Sequence, residues 1–167
     1  TNGFRYHMSN INAAIGLANK SLRDQDYDTA VKYYGEAAEL ETDVERASSY
    51  MLQLGSIFSN QRNFTRARQA AYDALEYNPN NGEAYILIAQ LYASSANNIF
   101  PEAEKAGLVY NAAVDKLQRA RTVDPSVADK ANSLINSYSA RFLDTETAFM
   151  MGYKTGETVY IPGWIGE

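Results

Sequence analysis

The feature that most constrains this chain is a repeated stop. Residues 74–85 read ALEYNPNNGEAY: a helix-forming run ends at Asn78, a turn is spelled Asn-Pro-Asn-Asn-Gly, and an apolar run restarts at once. The same event recurs at RARTVDPSVADKA, residues 119–131. Proline cannot continue a helix, because it lacks the N–H donor and its ring meets the preceding turn. Only four prolines occur, Pro79, Pro101, Pro125 and Pro162, and helix formers fill the spaces between them to about residue 150. Apolar residues recur at three and four throughout that region, which is the helical period. The pattern predicts helices over 9–23, 27–41, 44–60, 63–77, 81–96, 101–123 and 126–141, with a short one at 145–151. A chain that repeats its punctuation repeats its architecture.

The other boundaries have local causes. Asp24–Asp26 and Asn60–Asn63 separate consecutive helices, because Asp and Asn side chains compete for backbone hydrogen bonds and favour caps. Pro101 suits the first turn of a helix, where its missing donor is not needed. Glu102 and Glu104 follow it, at the end where negative charge is favourable. Short connections imply antiparallel neighbours.

Aligned in pairs, the helices share a residue pattern. The second pair carries Met51-x2-Leu54-Gly55-x2-Phe58, then Ala67, Ala71, Ala74 and Pro79. The first gives Leu17-Ala18, Tyr27, Ala30, Tyr34 and Ala37, with Thr42 in place of the proline. The third gives Tyr85, Ile88-Ala89 and Tyr92. An insertion around SSANNIFPEAEK follows, and then Tyr110, Ala113, Leu117, Ala120 and Pro125. A last half-repeat holds Ala131, Leu134-Ile135 and Tyr138. This resembles the tetratricopeptide repeat, of about 34 residues with tryptophan, leucine-glycine, tyrosine, alanine, phenylalanine and proline at fixed places. Met51, Phe58 and Ala71 depart from it. The resemblance implies an all-α fold, a right-handed superhelix of helix pairs. The repeats would span 11–141, as pairs at 11–42, 44–81 and 82–127 with a capping helix at 128–141. Residues 1–10 would be an N-terminal extension and 142–167 a short helix with an extended or hairpin tail. Small residues at Ala30, Ala67 and Ala113 let helices approach closely, and Tyr34, Phe58 and Tyr92 fill the adjacent space. One pair alone cannot bury its apolar face, so stacking of about three is needed.

Chemistry is sparse. The net charge is −5 with pI near 4.9, and there is no cysteine. The balance argues against a nucleic-acid partner, and thiolate, disulfide and zinc-thiolate chemistry are excluded. Arg62, Arg66 and Arg68 form the nearest approach to a basic patch and read as a solvated face. No apolar run reaches the 18 or so residues of a membrane span. No Gly-rich phosphate loop occurs, and Asn78–Glu83 has too few acids for a calcium loop. His7 is the sole histidine and reads as a terminal surface residue, so a facial metal site or a Ser-His-Asp triad has no support. Glu36, Glu39, Glu41, Asp43 and Glu45 read as a solvated acidic ridge. The expectation is a non-catalytic protein without cofactor or metal.

In tetratricopeptide arrays the first helix of each pair lines a concave groove for peptide segments. Carried onto this sequence, the partner-binding candidates are Asn12, Asn19 and Arg23 on the first helix, and Gln53, Ser56 and Asn60 on the third. Glu83, Leu87 and Gln90 follow on the fifth, and Asn132 and Asn136 on the cap. Members that bind chaperone tails hold a terminal carboxylate with lysine, asparagine and arginine. Here only Asn19 agrees; Ile15, Gln53, Glu83 and Leu87 occupy the other places. A clamp without cations cannot neutralise a buried carboxylate, so that mode of recognition is not expected. The groove is neutral and suited to hydrogen bonding a protein or peptide partner.

Thirteen tyrosines occur, most at core positions, with Tyr33, Tyr50, Tyr72 and Tyr77 partly exposed. After Asp144 the sequence changes, and TGETVYIPGWIGE alternates glycine with β-favouring residues. Val159, Tyr160, Ile161, Trp164 and Ile165 are too apolar to stay in water. They either cap the array or add a strand to a partner, including a second copy in a homo-oligomer. The tail, the Asn- and Tyr-rich surface and the low lysine content resemble tetratricopeptide proteins of the Gram-negative envelope, which implies a periplasmic or cell-envelope setting. Two other readings stand beside the scaffold: a glycan-associated envelope module using exposed aromatics such as Trp164, and a self-assembling subunit. The chain opens on Thr1 and stops just after an apolar run, as a trimmed piece of a longer protein would.

Overall fold

A computed structural model describes residues 2–167, with side chains from residue 9 onward. The side chain of His7 therefore lies outside the described residues. Eight α-helices and no strand are found among the described residues. The chain divides into two compact units, residues 1–81 and 82–167. The division falls at the turn that opened the sequence reading.

The first unit holds α1 (Asn2–Arg23), α2 (Tyr27–Leu40), α3 (Val44–Asn60) and α4 (Phe64–Tyr77). The segment expected as an N-terminal extension is helical from Asn2 and continues α1. Three helix starts are capped by side chains that accept the first free N–H groups: Asp26 from Thr29, Asp43 from Glu45 and Arg46, and Asn63 from Arg66. Each cap satisfies donors that the first turn of a helix leaves without an intrahelical partner. Both turns within a pair end alike. Gln25 and Arg62 each have φ 59°, and the next N–H closes back on the helix, Asp26 to the Ser21 carbonyl at 2.9 Å and Asn63 to the Phe58 carbonyl at 2.9 Å. These are the six-to-one bonds of a left-handed helix cap.

The core follows the repeat pattern. Ala30 and Ala67 are fully buried, as are Tyr34, Ala37, Ala71 and Ala74, with Leu54 and Phe58 at 1% exposure. Tyr34 carries a polar tip into this core, and its hydroxyl donates to Asn19 Oδ1 at 2.9 Å. Ser48, also fully buried, donates to the Ala74 carbonyl at 2.7 Å and accepts from Asn81 Nδ2 at 2.8 Å. The turn after α4 is thereby tied to α3. Buried polar groups must be paired in this way to avoid a desolvation penalty.

Glu41 departs from the expected acidic ridge. Its side chain is 2% exposed. It accepts from Arg46 Nη2 at 3.2 Å, the Tyr50 hydroxyl at 3.2 Å and the Asp43 N–H at 3.2 Å. Burial pushes this carboxyl up, but the hydrogen bonds from Asp43 and Tyr50 and the Arg46 charge outweigh it, and its pKa lies below the ordinary carboxylate value.

The second unit holds α5 (Gly82–Ile99), α6 (Ala106–Val123), α7 (Ala128–Ser139) and α8 (Thr145–Met150). The helix expected from Pro101 does not begin there. α5 runs on to Ile99, because Ser95 and Ala96 extend its buried face, and it ends because the residue before a proline disfavours helix. A 3₁₀ turn at Ala103–Lys105 then leads into α6 at Ala106. Pro101 is thus a stop and not a start. Pro125 opens a second 3₁₀ turn, Pro125–Val127, where Asp124 accepts from the Ser126 N–H. Two glycines are required by close approach. A Cβ at Gly82 would lie 2.6 Å from Val127 Cγ2, and one at Gly107 would lie 2.8 Å from Leu143 Cα, in the chain crossing over α6.

The tail forms turns, not a hairpin. Ile161 and Ile165 are buried at 5% and 1% exposure. The tail closes on itself through the Ile161 N–H, which donates to the Glu167 carbonyl at 2.5 Å. Gly163 and Gly166 take φ 74° and 63° to reverse the chain there.

Candidate functional site

Two kinds of surface stand out, and each is described within its own unit. The first is the face formed by the leading helix of each pair. On α3, Gln53, Ser56 and Asn60 are exposed and fall at helical spacing on one face. The Ser56 hydroxyl donates back to the Leu52 carbonyl at 3.1 Å, whereas Gln53 and Asn60 make no side-chain hydrogen bond among the described residues. On α1, Asn12 and Arg23 are exposed and Asn19 is half-buried. Asn19 is committed to the Tyr34 hydroxyl, so its oxygen serves the core.

In the second unit the sequence-derived candidates divide. Gln90 is exposed, with Ser94 beside it donating to the Gln90 carbonyl at 2.7 Å. Glu83 is half-buried and paired with Lys130 of α7 at 2.5 Å. Leu87 is buried at 8% exposure, so it belongs to the core of this unit and offers a partner almost nothing. The reason is geometric: α5 is apolar on nearly all sides and buries ten of its residues. On α7, Asn136 is exposed, while Asn132 accepts from Arg121 Nη1 at 2.7 Å. Among the described residues, the candidate amides without a side-chain hydrogen bond are therefore Gln53 and Asn60 on α3, Gln90 on α5, Asn12 on α1 and Asn136 on α7.

The second surface was not anticipated from sequence. In unit 1 a cavity of about 260 Å³ lies over Leu54 and Phe58 of α3, walled by Asp28 and Val31 of α2 and by Arg66, Gln69, Ala70 and Asp73 of α4. Arg66 spans it. Its guanidinium lies 5.8 Å from the Phe58 ring centroid and bonds Asp28 Oδ1 at 2.5 Å. Tyr27 meets Phe58 edge-on at 5.9 Å. The sequence reading assigned Arg66 to a solvated face; Asp28 and Arg66 at the starts of consecutive second helices were the only written signal.

In unit 2 the tail occupies the side of α5 and α6. Trp164 is half-buried and packs edge-on against Tyr92 at 5.7 Å. Glu167 accepts from the Tyr92 hydroxyl at 2.7 Å and pairs with Lys116 at 2.8 Å. Val159 and Ile161 face Leu108 and Ala112 of α6 across a cavity of about 290 Å³. Among the described residues no cluster of His, Cys, Asp or Glu is placed to hold a metal, and no helix is long and apolar enough to cross a membrane.

No protein-family model matches the chain. Two solved structures are similar over most of it. One is the TPR domain of Arabidopsis OM64, 16% identical, covering 80% of this chain and 98% of that one, with a TM-score of 0.53. The other is the TPR2B domain of yeast Sti1 in a complex with pHsp70, 22% identical, covering 80% and 98%, with a TM-score of 0.54. At these identities the likeness establishes the fold, and the helix pairs found here have the tetratricopeptide fold.

Proposed function

We propose, for a chain with the tetratricopeptide fold, that it acts as a non-catalytic scaffold whose leading helices hold a protein or peptide segment. The supporting observation is the exposed row on α3, where Gln53 and Asn60 offer donors and acceptors that no other described residue uses. A primary amide can donate and accept at once, so it matches a peptide backbone without the desolvation penalty of a charge. Gln90 on α5 has the same character. The Sti1 domain was solved with pHsp70, and its fold is the template for the reading. The occupant here differs in chemistry, because Ile15, Gln53 and Leu87 stand where cations would hold a terminal carboxylate. An internal segment is therefore the expected partner, and a free C-terminus is not. Trp164, the aromatic named for the glycan reading, packs edge-on against Tyr92, while Tyr160 stays exposed.

The test is site-specific photo-crosslinking in extract of the source cells, with the reactive group at Gln53, at Gln90 and at Glu76 of α4 as the control. A common protein captured from Gln53 and Gln90 but not from Glu76 supports the scaffold reading. Capture from Glu76 alone, or the same capture from all three, rejects it.

A further inference from the structure

The cavity of about 290 Å³ between α6 and the tail carries charge of one sign only. Its floor is aliphatic: Ile161 is buried, and Leu108, Ala112 and Val159 are half-buried. Leu108, Ala112 and Asp115 recur at four and three, so they share one face of α6. The rim is polar and open to water, with Asp115 on the α6 side and Glu157 on the tail side. Two carboxylates thus stand on this rim, and no cation does. Neither neighbouring lysine forms an ion pair with them among the described residues. Lys116 pairs with Glu167 at 2.8 Å and lies 5.9 Å from the Tyr92 ring. Lys154 gives Glu157 Oε2 its backbone N–H at 2.9 Å, not its ammonium. Partial burial raises the Asp115 pKa, and the Lys116 charge opposes this only in part. That carboxylate has therefore lost hydration without gaining a partner.

We infer that this cavity is a lysine-binding site, apart from the leading-helix faces: a lysine of a partner protein lays its methylene stem on the aliphatic floor and sets its ammonium between Asp115 and Glu157. Three features select that occupant. The volume of about 290 Å³ lies at the lower end of ligand sites, roughly 300 Å³, so it suits one long side chain. A lysine stem lies along apolar surface while its charged head stays at a polar edge, which is the division of floor and rim found here. The charge is complementary, and its placement favours an ammonium over a guanidinium. The two carboxylates come from different elements, and one oxygen of Glu157 already accepts from the Lys154 N–H. A compact ammonium with three donors can meet two separate oxygens, whereas the planar guanidinium fork is matched to both oxygens of one carboxylate. The site uses α6 and the tail alone, so it does not depend on what the leading helices hold.

The probe is the peptide acetyl-Gly-Lys-Gly-amide, titrated into the isotope-labelled full chain and followed by two-dimensional amide NMR. Saturable shifts are expected at Leu108, Ala112, Thr158 and Val159, which line the cavity. Asp115→Asn and Glu157→Gln should each weaken binding about fivefold, the upper reach of one partly exposed ion pair. Acetylating the lysine of the peptide removes both pairs and should weaken binding at least tenfold. Glu104→Gln, in the same unit but outside the cavity, should leave it unchanged. The same spectra show that each variant is folded, and two carboxylate variants guard against one failing to fold. Shifts that never saturate overturn the proposal, as do shifts equal for the lysine and acetyl-lysine peptides. So does binding that ignores both Asp115→Asn and Glu157→Gln. Tighter binding of the arginine peptide would overturn the choice of group. Binding of n-butylammonium without binding of the lysine peptide would make a free amine the occupant and overturn the partner assignment.

Discussion

The two units build the same pair core and finish it differently. In unit 1 the ring of Phe58 lies under Arg66, held by an ion pair to Asp28. In unit 2 the equivalent ring of Tyr92 lies under Trp164 and Glu167, brought from the far end of the chain. The small residues at Ala30, Ala67 and Ala113 are fully buried in both units. The repeat pattern thus decides how two helices meet, and leaves open what covers the outer side of their junction. One unit covers it from the neighbouring helix α2, with Tyr27 and the Asp28–Arg66 pair, and the other with a segment from the far end of the chain that buries Ile165 and brings Trp164 and Glu167.

These two solutions differ most in energy. A surface ion pair contributes at most about 1 kcal/mol, whereas removing most of a buried isoleucine costs about 2–4 kcal/mol. Ile165→Ala should therefore give the largest effect of any tail substitution, a loss of about 2–4 kcal/mol in urea unfolding. Native-state hydrogen exchange should place that loss in α5 and α6, with amides of α3 and α4 keeping their protection. Equal loss in all four helices would mean that the units unfold as one and would break the comparison. Asp28→Asn in unit 1 should stay within about 1 kcal/mol of the parent.

Gly107→Ala is next, at about 1–3 kcal/mol. The added carbon would meet backbone at Phe142 and Leu143, which cannot swing aside as a side chain can. The effect should appear in unit 2 alone, as reduced protection of α6 and α8 amides. A neutral result would mean that the crossing chain shifts freely.

Much of the fold was legible because it depends on local signals. Helical period, Asn and Asp caps and the recurrent Ala and Tyr positions each act within a turn or two, and six of the eight helix starts and all eight stops lie within three residues of expectation. Pro101 misled because a proline both ends one helix and suits the start of the next, and only the buried Ser95 and Ala96 decide between them. The candidate site was less legible. Leu87 and Gln90 look alike as a helix face, but α5 is surrounded and one of them is core. Glu41 looked like its acidic neighbours, and its burial depends on Tyr50 and Arg46, a turn away on another helix. The tail's destination was illegible, since Tyr92 and Lys116 are far from it in sequence and carry no mark of a partner.

Glu41 sharpens the comparison from the side of unit 1, where its carboxylate side chain is only 2% exposed. Glu41→Gln should cost about 1.5–3 kcal/mol at neutral pH, the range for hydrogen bonds to a charged group. Because the folded carboxyl has its pKa lowered, its stabilisation is complete above the ordinary unfolded value of about 4.3. It is lost as the pH falls through the lower folded value. The gap between parent and variant should therefore close on acidification, measured by urea midpoints at pH 7 and pH 3. A gap that persists at pH 3 would assign the cost to packing.

The smallest effect should be a gain, and it again separates the units. Unit 1 turns within its pairs at Gln25 and Arg62, both at φ 59°, whereas unit 2 makes the same connection through the longer stretch from Ile99 to Ala106. A side chain in the left-handed region costs about 1–2 kcal/mol relative to the right-handed one, and glycine is relieved of it while losing more chain entropy. Arg62→Gly also gives up the guanidinium 5.7 Å from the Phe64 ring, an exposed contact of about 0.5 kcal/mol. The balance predicts a net gain of about 0.5 kcal/mol, and Gln25→Gly, with no ring contact to lose, should gain slightly more. Paired urea titrations of the two variants read the difference. A loss in both would mean that the tight turn depends on its side chains, and that the short connections of unit 1 carry no stored cost that unit 2 avoids.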